Sequence, residues 1–133
     1  MRIRSLFAAA VLAGATVVSG ATAAHAEDTF TYRYGTDYIR LYHNGTFAGQ
    51  VEWNPDPDDS GPGDTLYAYD PAADGWGVEA HLSTGRVAST RGHPSPYWAQ
   101  KSGNLPEDHN YKMWLKFVKG TKYVESPSLP VTS

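Results

Sequence analysis

The sequence predicts an all-β domain, a small antiparallel β-sandwich or alternatively a small β-barrel, behind a leader spanning residues 1–26. Three observations predict it. No stretch beyond residue 26 carries apolar residues at helical spacing over about ten residues. Short runs of alternating apolar and polar residues recur instead, about seven in number. Turn signals built on Asn-Gly, Asp-Gly, Gly and Pro separate them at intervals of roughly 8–12 residues.

The leader is read from its three parts. Arg2 and Arg4 give a positive start, Leu6 to Val18 is an Ala-rich apolar run, and Ala24-His25-Ala26 supplies the small residues of a signal-peptidase site. The apolar run is short of the ~20 residues of a membrane span. Cleavage after Ala26 would leave residues 27–133, 107 residues, enough for one domain. The expected location is therefore secreted and extracellular, with no membrane association after cleavage. Cys is absent, which excludes disulfides, a lipidated cysteine, a thiol nucleophile and a thiolate metal site. The chain has 11 Lys+Arg and 14 Asp+Glu. Two of the basic residues leave with the leader, so nine face fourteen and the mature balance is −5. Such a domain lacks the basic footprint of a nucleic-acid binder or of a protein held on an anionic membrane.

Along the mature chain, aromatic residues recur at every second position in Phe30-Thr31-Tyr32-Arg33-Tyr34, a strand period. Tyr38 to Trp53 reads as a hairpin about the type I′ pair Asn44-Gly45. A two-residue loop there would pair His43 with Thr46, Tyr42 with Phe47 and Tyr38 with Val51. That register puts Tyr38, Tyr42, Phe47, Val51 and Trp53 on one face, with Ile39, Leu41 and Ala48 on the other. Residues 54–64 (NPDPDDSGPGD) can hold no strand ladder and form a loop. Thr65 to Tyr69 is a short strand and residues 70–75 are a turn. Trp76 to Leu82 alternates with Trp76, Val78, Ala80 and Leu82 inward and Glu79 and His81 outward. Thr84-Gly85 leads into Arg86 to Thr90. Residues 91–110 read as one long connection, a length at which loops are commonly functional. The final hairpin turns at Gly120-Thr121, pairing Phe117 with Val124 and Lys116 with Glu125. Tyr111, Met113, Leu115 and Phe117 form one face, with Lys112, Trp114, Lys116 and Val118 on the other. The tail 126–133, with Pro127 and Pro130, is expected to fray.

Gly63-Asp64-Thr65-Leu66, the turn DPAADGWG at 70–77, Val78 to Leu82, Gly103-Asn104-Leu105-Pro106-Glu107 and the strand ending Val118-Lys119-Gly120 carry a resemblance. The stretch resembles small, largely uncharacterised secreted β-domain proteins of filamentous actinobacteria. The resemblance covers about half of the mature chain and implies a compact exported β domain. It implies no activity and transfers no catalytic residue. Cysteines found in some of those proteins have no counterpart here.

None of the motifs of a nucleophile elbow, a zincin, a P-loop or a dinucleotide fold is present. Three constellations remain. Asp56, Asp58, Asp59 and Asp64 lie within nine residues of each other and could give oxygens to calcium, though the spacing is not that of an EF-hand. The same residues are also ordinary turn formers. Among the aromatics, Trp98 and Tyr97 stand beside His93 in the long Pro-containing segment, and Trp114 stands between Lys112 and Lys116. Aromatics set among polar groups stack on sugar rings or peptides, and the alternative is plain packing. Glu79 and His81 share the outward side of one strand, where they could hold a metal, act as acid and base, or simply be solvated. Asn44-Gly45-Thr46 is a glycosylation sequon that the turn already explains.

These readings lead to an expected non-catalytic extracellular module that binds a wall polymer, a peptide or a protein through His93, Tyr97, Trp98 and Trp114. One alternative is a calcium-stabilised extracellular domain held by the acidic loop. The other is a small secreted hydrolase using carboxylates such as Glu52, Glu79 or Glu107.

Overall fold

The computed structural model describes residues 27–59 and 61–133, together with the backbone of β1 (Arg2–Ile3). The expected leader otherwise lies outside the described residues. The further elements are β2 (Phe30–Tyr34), β3 (Tyr38–His43), β4 (Thr46–Asn54), β5 (Thr65–Asp70), β6 (Gly77–Leu82), β7 (Val87–Ser89), β8 (Tyr97–Ser102), β9 (Asn110–Lys119), β10 (Lys122–Glu125) and β11 (Leu129–Thr132). No helix occurs among the described residues.

The strands form two sheets that remain separate rather than closing into a barrel, so the architecture is a β-sandwich. One sheet has the order β2-β3-β4-β5-β8 and is antiparallel throughout. The other runs β7-β6-β9, with β10 and β11 both lying along the far side of β9 and β1 pairing in parallel with β10. From β2 onward the chain crosses between sheets after β5, after β7 and after β8.

Alternation decides what lies between the layers. Ile39, Leu41, Val51, Trp53, Leu66 and Ala68 of the first sheet are buried against Val78, Ala80, Leu82, Met113, Leu115 and Phe117 of the second. β6 and the β9–β10 hairpin follow the expected faces and register: Phe117 pairs with Val124 and Lys116 with Glu125.

The expected β3–β4 register holds only near the turn. Asn44 and Gly45 both have positive φ, at 51° and 83°, and His43–Thr46 and Tyr42–Phe47 pair as expected. Ladder pairing then slips, because Leu41 faces Gly49 and leaves Ala48 as an extra residue. This β-bulge shifts everything beyond it by one position. Tyr38 therefore pairs with Glu52, not Val51. Val51 and Trp53 consequently turn into the core with Ile39 and Leu41, while Tyr38, Tyr42 and Phe47 stay outside. The bulge sits where the backbone must come close to the opposite sheet: a Cβ on Gly49 would lie 2.6 Å from Val78 Cγ2.

Two more expectations are corrected. The segment 91–110 is not one connection, since β8 lies inside it and pairs with β5 along its whole length. As an edge strand, β8 buries only Ala99, so it shows almost no apolar alternation. The tail 126–133 does not fray. β10 and β11 form one line along β9, interrupted at Ser126–Ser128, where four steps from Glu125 to Leu129 oppose three from Lys116 to Met113. Ser126 secures this irregularity by donating its N–H to Leu115 O while its Oγ accepts the Leu115 N–H. Pro130 is tolerated because it sits on an edge strand. The Trp53 indole N–H donates to Thr132 O at 3.0 Å, and the Tyr34 hydroxyl donates to Pro127 O, tying the tail to the opposite sheet.

Candidate functional site

The outer face of the five-stranded sheet carries one continuous row of side chains. Arg33 pairs across strands with Arg40, Arg40 with Gln50, Gln50 with Tyr69, and Tyr69 with Trp98. The row runs from one edge strand to the other over four interstrand steps, a distance of about 19 Å. At the β8 end, the Trp98 and Tyr69 rings stack with centroids 4.4 Å apart and planes 20° apart. Tyr67 meets Trp98 edge-on at 6.3 Å. Phe47 contacts Tyr69 at 6.3 Å and Tyr42 at 5.9 Å, so the rings continue towards the other edge. There the Arg33 guanidinium lies 5.1 Å from the Tyr42 ring centroid, and that of Arg40 lies 4.9 Å from Tyr38. The Arg40 Nε–H donates to Gln50 Oε1 at 2.9 Å. Of these rings Trp98 is the most open, at 49 % exposure.

A second row flanks the first: Tyr38, Glu52, Tyr67 and Gln100 are successive cross-strand partners. The Glu52 carboxyl is raised above its ordinary range, first by burial and then by the nearby charge of Asp37, with Gln50 and Arg40 acting in the opposite direction. The loop of residues 54–64 closes this end of the face. Asn54 Nδ2 donates to Pro62 O and Asp58 Oδ1, and the Thr65 hydroxyl bonds to Pro62 O.

The four aromatic and imidazole candidates from the sequence do not form one site. Trp98 stands on the row just described, fixed by a strand rather than carried on a loop. Tyr97, its chain neighbour, points to the other side and stacks on His93 at 3.9 Å. His93 lines a separate cleft of about 430 Å³ with Asp70, Trp76, Arg91 and Ser95, at the end of the sandwich where two crossings meet. Trp114 lies on the outer face of the opposite sheet, stacked at 5.5 Å on its cross-strand partner His81. The whole thickness of the sandwich separates it from Trp98.

Glu79 and His81 do interact, but within a closed network. Glu79 accepts hydrogen bonds from His81 at 3.0 Å, Arg91 Nε at 3.0 Å and the Ser89 hydroxyl at 3.1 Å. The His81 hydrogen bond first, then those of Arg91 and Ser89, hold the Glu79 carboxyl down at about 2, against the opposing effect of burial. A carboxylate so engaged ties together β6, β7 and the loop that holds Arg91. Glu52 and Glu79 project from the outer faces of opposite sheets, and Glu107 is exposed in the β8–β9 connection. Glu52 and Glu79 thus cannot flank one glycosidic bond at the ~5–10 Å separation that two-carboxylate hydrolysis uses.

The acidic residues also divide. Asp56, Asp58 and Asp59 are exposed, whereas Asp64 is buried. Asp64 Oδ2 accepts the Leu105 N–H at 2.8 Å, and its backbone carbonyl accepts from Arg86, which also holds Gly103 O. Among the described residues no three His, Asp or Glu side chains converge as a metal site.

Arg33, Arg40, Gln50, Tyr67 and Tyr69 were not singled out by the sequence reading. Their signal is present in strict alternation along β2, β3 and β5, but assigning β4 to a face required the bulge at Gly49, for which an isolated glycine inside a strand is the available cue. Comparison of the chain with protein-family models, curated proteins and solved structures found no match.

Proposed function

We propose that the protein is a secreted, non-catalytic binding module whose contact surface is the outer face of the five-stranded sheet, with Trp98 as its anchor. The observation that carries this reading is the run of touching rings from Trp98 to Tyr42 on an open sheet face. Large rigid aromatics with polar neighbours give much contact area for little loss of side-chain freedom. Here the rings brace one another, so the surface is formed before any partner arrives and less ordering is needed on association. The leader-like residues 1–26 supply the reason to place this activity outside the cell.

The test compares the secreted protein with its Trp98→Ala variant for co-sedimentation with isolated cell-wall sacculi and for capture of a displayed random-peptide library. Loss of an exposed aromatic anchor is expected to weaken binding by about 2 kcal/mol, or roughly thirtyfold. If neither material is bound in a Trp98-dependent way, the reading fails.

A further inference from the structure

Resting on that contact surface, we infer that its ligand is an acidic polysaccharide chain laid across the strands. A sugar ring would lie on the free face of Trp98, braced from behind by Tyr69, with a carboxylate or phosphate substituent elsewhere on the chain held by Arg33 and Arg40. The argument comes from the order of groups within one row. Its β8 end offers the open face of Trp98, its middle offers the Gln50 amide, and its β2 end offers two guanidinium groups.

The two arginines are directly opposite each other on adjacent strands, and both are exposed. Like charges in that arrangement disfavour the sheet. Among the described residues, neither forms an ion pair with a carboxylate; they rest on the faces of Tyr42 and Tyr38 instead. Each guanidinium keeps donors free in a planar fork suited to a carboxylate or phosphate. An anion bridging the pair would remove their repulsion, which gives the face its charge complementarity to an acidic ligand. The opposite end has no basic partner in the row, and Glu52 of the flanking row lies one strand from Arg40, whose charge acts on it, and two strands from Trp98. An uncharged, hydroxyl-bearing ring suits Trp98, whose face turned away from Tyr69 can contact the C–H side of a sugar, while Tyr69 braces the indole from behind. The row is long enough for several sugar rings, so one chain can reach both ends.

Affinity electrophoresis with the secreted protein tests this. The gels contain polygalacturonate, yeast phosphomannan, uncharged hydroxyethylcellulose or poly-L-glutamate. Retardation by polygalacturonate identifies a carboxylate glycan, and retardation by phosphomannan a phosphate glycan. In either case the double variant Arg33→Gln/Arg40→Gln should bind at least tenfold more weakly, and added salt should weaken the wild type. Trp98→Ala should weaken binding by a similar factor. Equal binding to poly-L-glutamate would remove the sugar from the inference. Binding to hydroxyethylcellulose as tight as to the acidic chains, or a double variant that binds normally, would remove the anion. If no polysaccharide retards the protein, the inference is overturned, while Trp98-dependent capture of peptides would leave the contact surface standing. Both variants alter exposed side chains, and an unchanged thermal midpoint of the arginine variant shows that it is folded.

Discussion

Trp98 lies flat on Tyr69, its direct cross-strand partner, while Trp53, two residues after Val51 on the neighbouring strand β4, is shut inside the sandwich. The contrast separates an open tryptophan from one that belongs to the core. Trp98→Ala forfeits one stacked pair and part of one ring's burial, so a loss of about 1 kcal/mol is expected. Trp53→Ala empties a core site and orphans its place against Thr132, and should cost about 3–5 kcal/mol. Urea unfolding of both variants checks this. A Trp98→Ala loss as large as that of Trp53→Ala would show that Trp98 plugs the structure and is no free anchor.

Close approach at the bulge gives a second expectation. A methyl group on Gly49 meets Val78 Cγ2 at 2.6 Å, and both residues are buried. Gly49→Ala should therefore destabilise by about 1–3 kcal/mol through overpacking. Val78→Ala makes room, so the double variant should be more stable than the sum of the two single losses implies. Additive losses in that cycle would mean that the two sites do not touch.

Glu79 makes stability depend on pH. Its folded pKa, about 2, lies below the ordinary 4.5, so the folded state binds this proton less readily than the unfolded chain. The resulting stabilisation is complete above about pH 4.5 and is lost as the pH falls towards 2. Allowing for solvent screening around the half-exposed Arg91, it amounts to about 1–2 kcal/mol. Glu79→Gln should lower stability at pH 7 and flatten its dependence between pH 4.5 and 2, as followed by urea midpoints. An unchanged slope would show that other carboxylates govern the acid limb.

How legible was this molecule in its sequence? The sandwich, the Asn44-Gly45 turn and the inward faces of β6 and β9 follow from period-two alternation and turn chemistry, because those strands are half-buried and regular. The binding face was only partly legible. A single extra residue at Ala48 reverses the outer half of β4, and nothing in the local alternation reveals a slip whose cause is contact with Val78 across the sandwich. Edge strands were hardest. β8 and β11 each have one open side, so burial imprints little pattern on them: β8 buries Ala99 alone and β11 Val131 alone. The prolines near β11 read as breakers because the sequence does not say which strands are edges. Trp98 stands out in the sequence for its place beside His93 in a Pro-containing segment read as a loop, which is in fact strand β8, and its companions Tyr69 and Arg40 come from strands far away in sequence.

The tail should matter for folding. Val131 is buried, and Thr132 O accepts the Trp53 indole N–H. Ser133 is bonded through its N–H to His109 O and through its hydroxyl to Pro106 O. Deleting residues 129–133 exposes the Val131 site, worth about 1.5–3 kcal/mol, and leaves the Trp53 donor without its acceptor at a further cost of about 1–3 kcal/mol. A fall of more than about ten degrees in thermal midpoint is expected. A midpoint within a few degrees of the full chain would mean that β11 adds little to the sandwich.

The acidic loop yields the last expectation, which concerns metal. Calcium needs six to eight oxygens converging on one point. In the loop, Asp64 directs one carboxyl oxygen to the Leu105 N–H, while Asp56, Asp58 and Asp59 point to solvent or to neighbouring loop atoms such as the Asn54 amide. The loop is already tied down without an ion through Arg86, Asn54 and Thr65. Chelation should therefore leave the thermal midpoint unchanged. A calcium ion at 100 times its dissociation constant would instead contribute about 2.7 kcal/mol. For a domain of this size that is a shift of roughly ten degrees or more. A midpoint that falls that far in EDTA and returns with calcium would establish the calcium-stabilised alternative. Asp64→Asn separates the two roles of that residue. It keeps an oxygen for the Leu105 N–H but removes the charge, so it should leave the midpoint nearly unchanged if the carboxyl only braces the loop, and should abolish any response to calcium if it binds the ion.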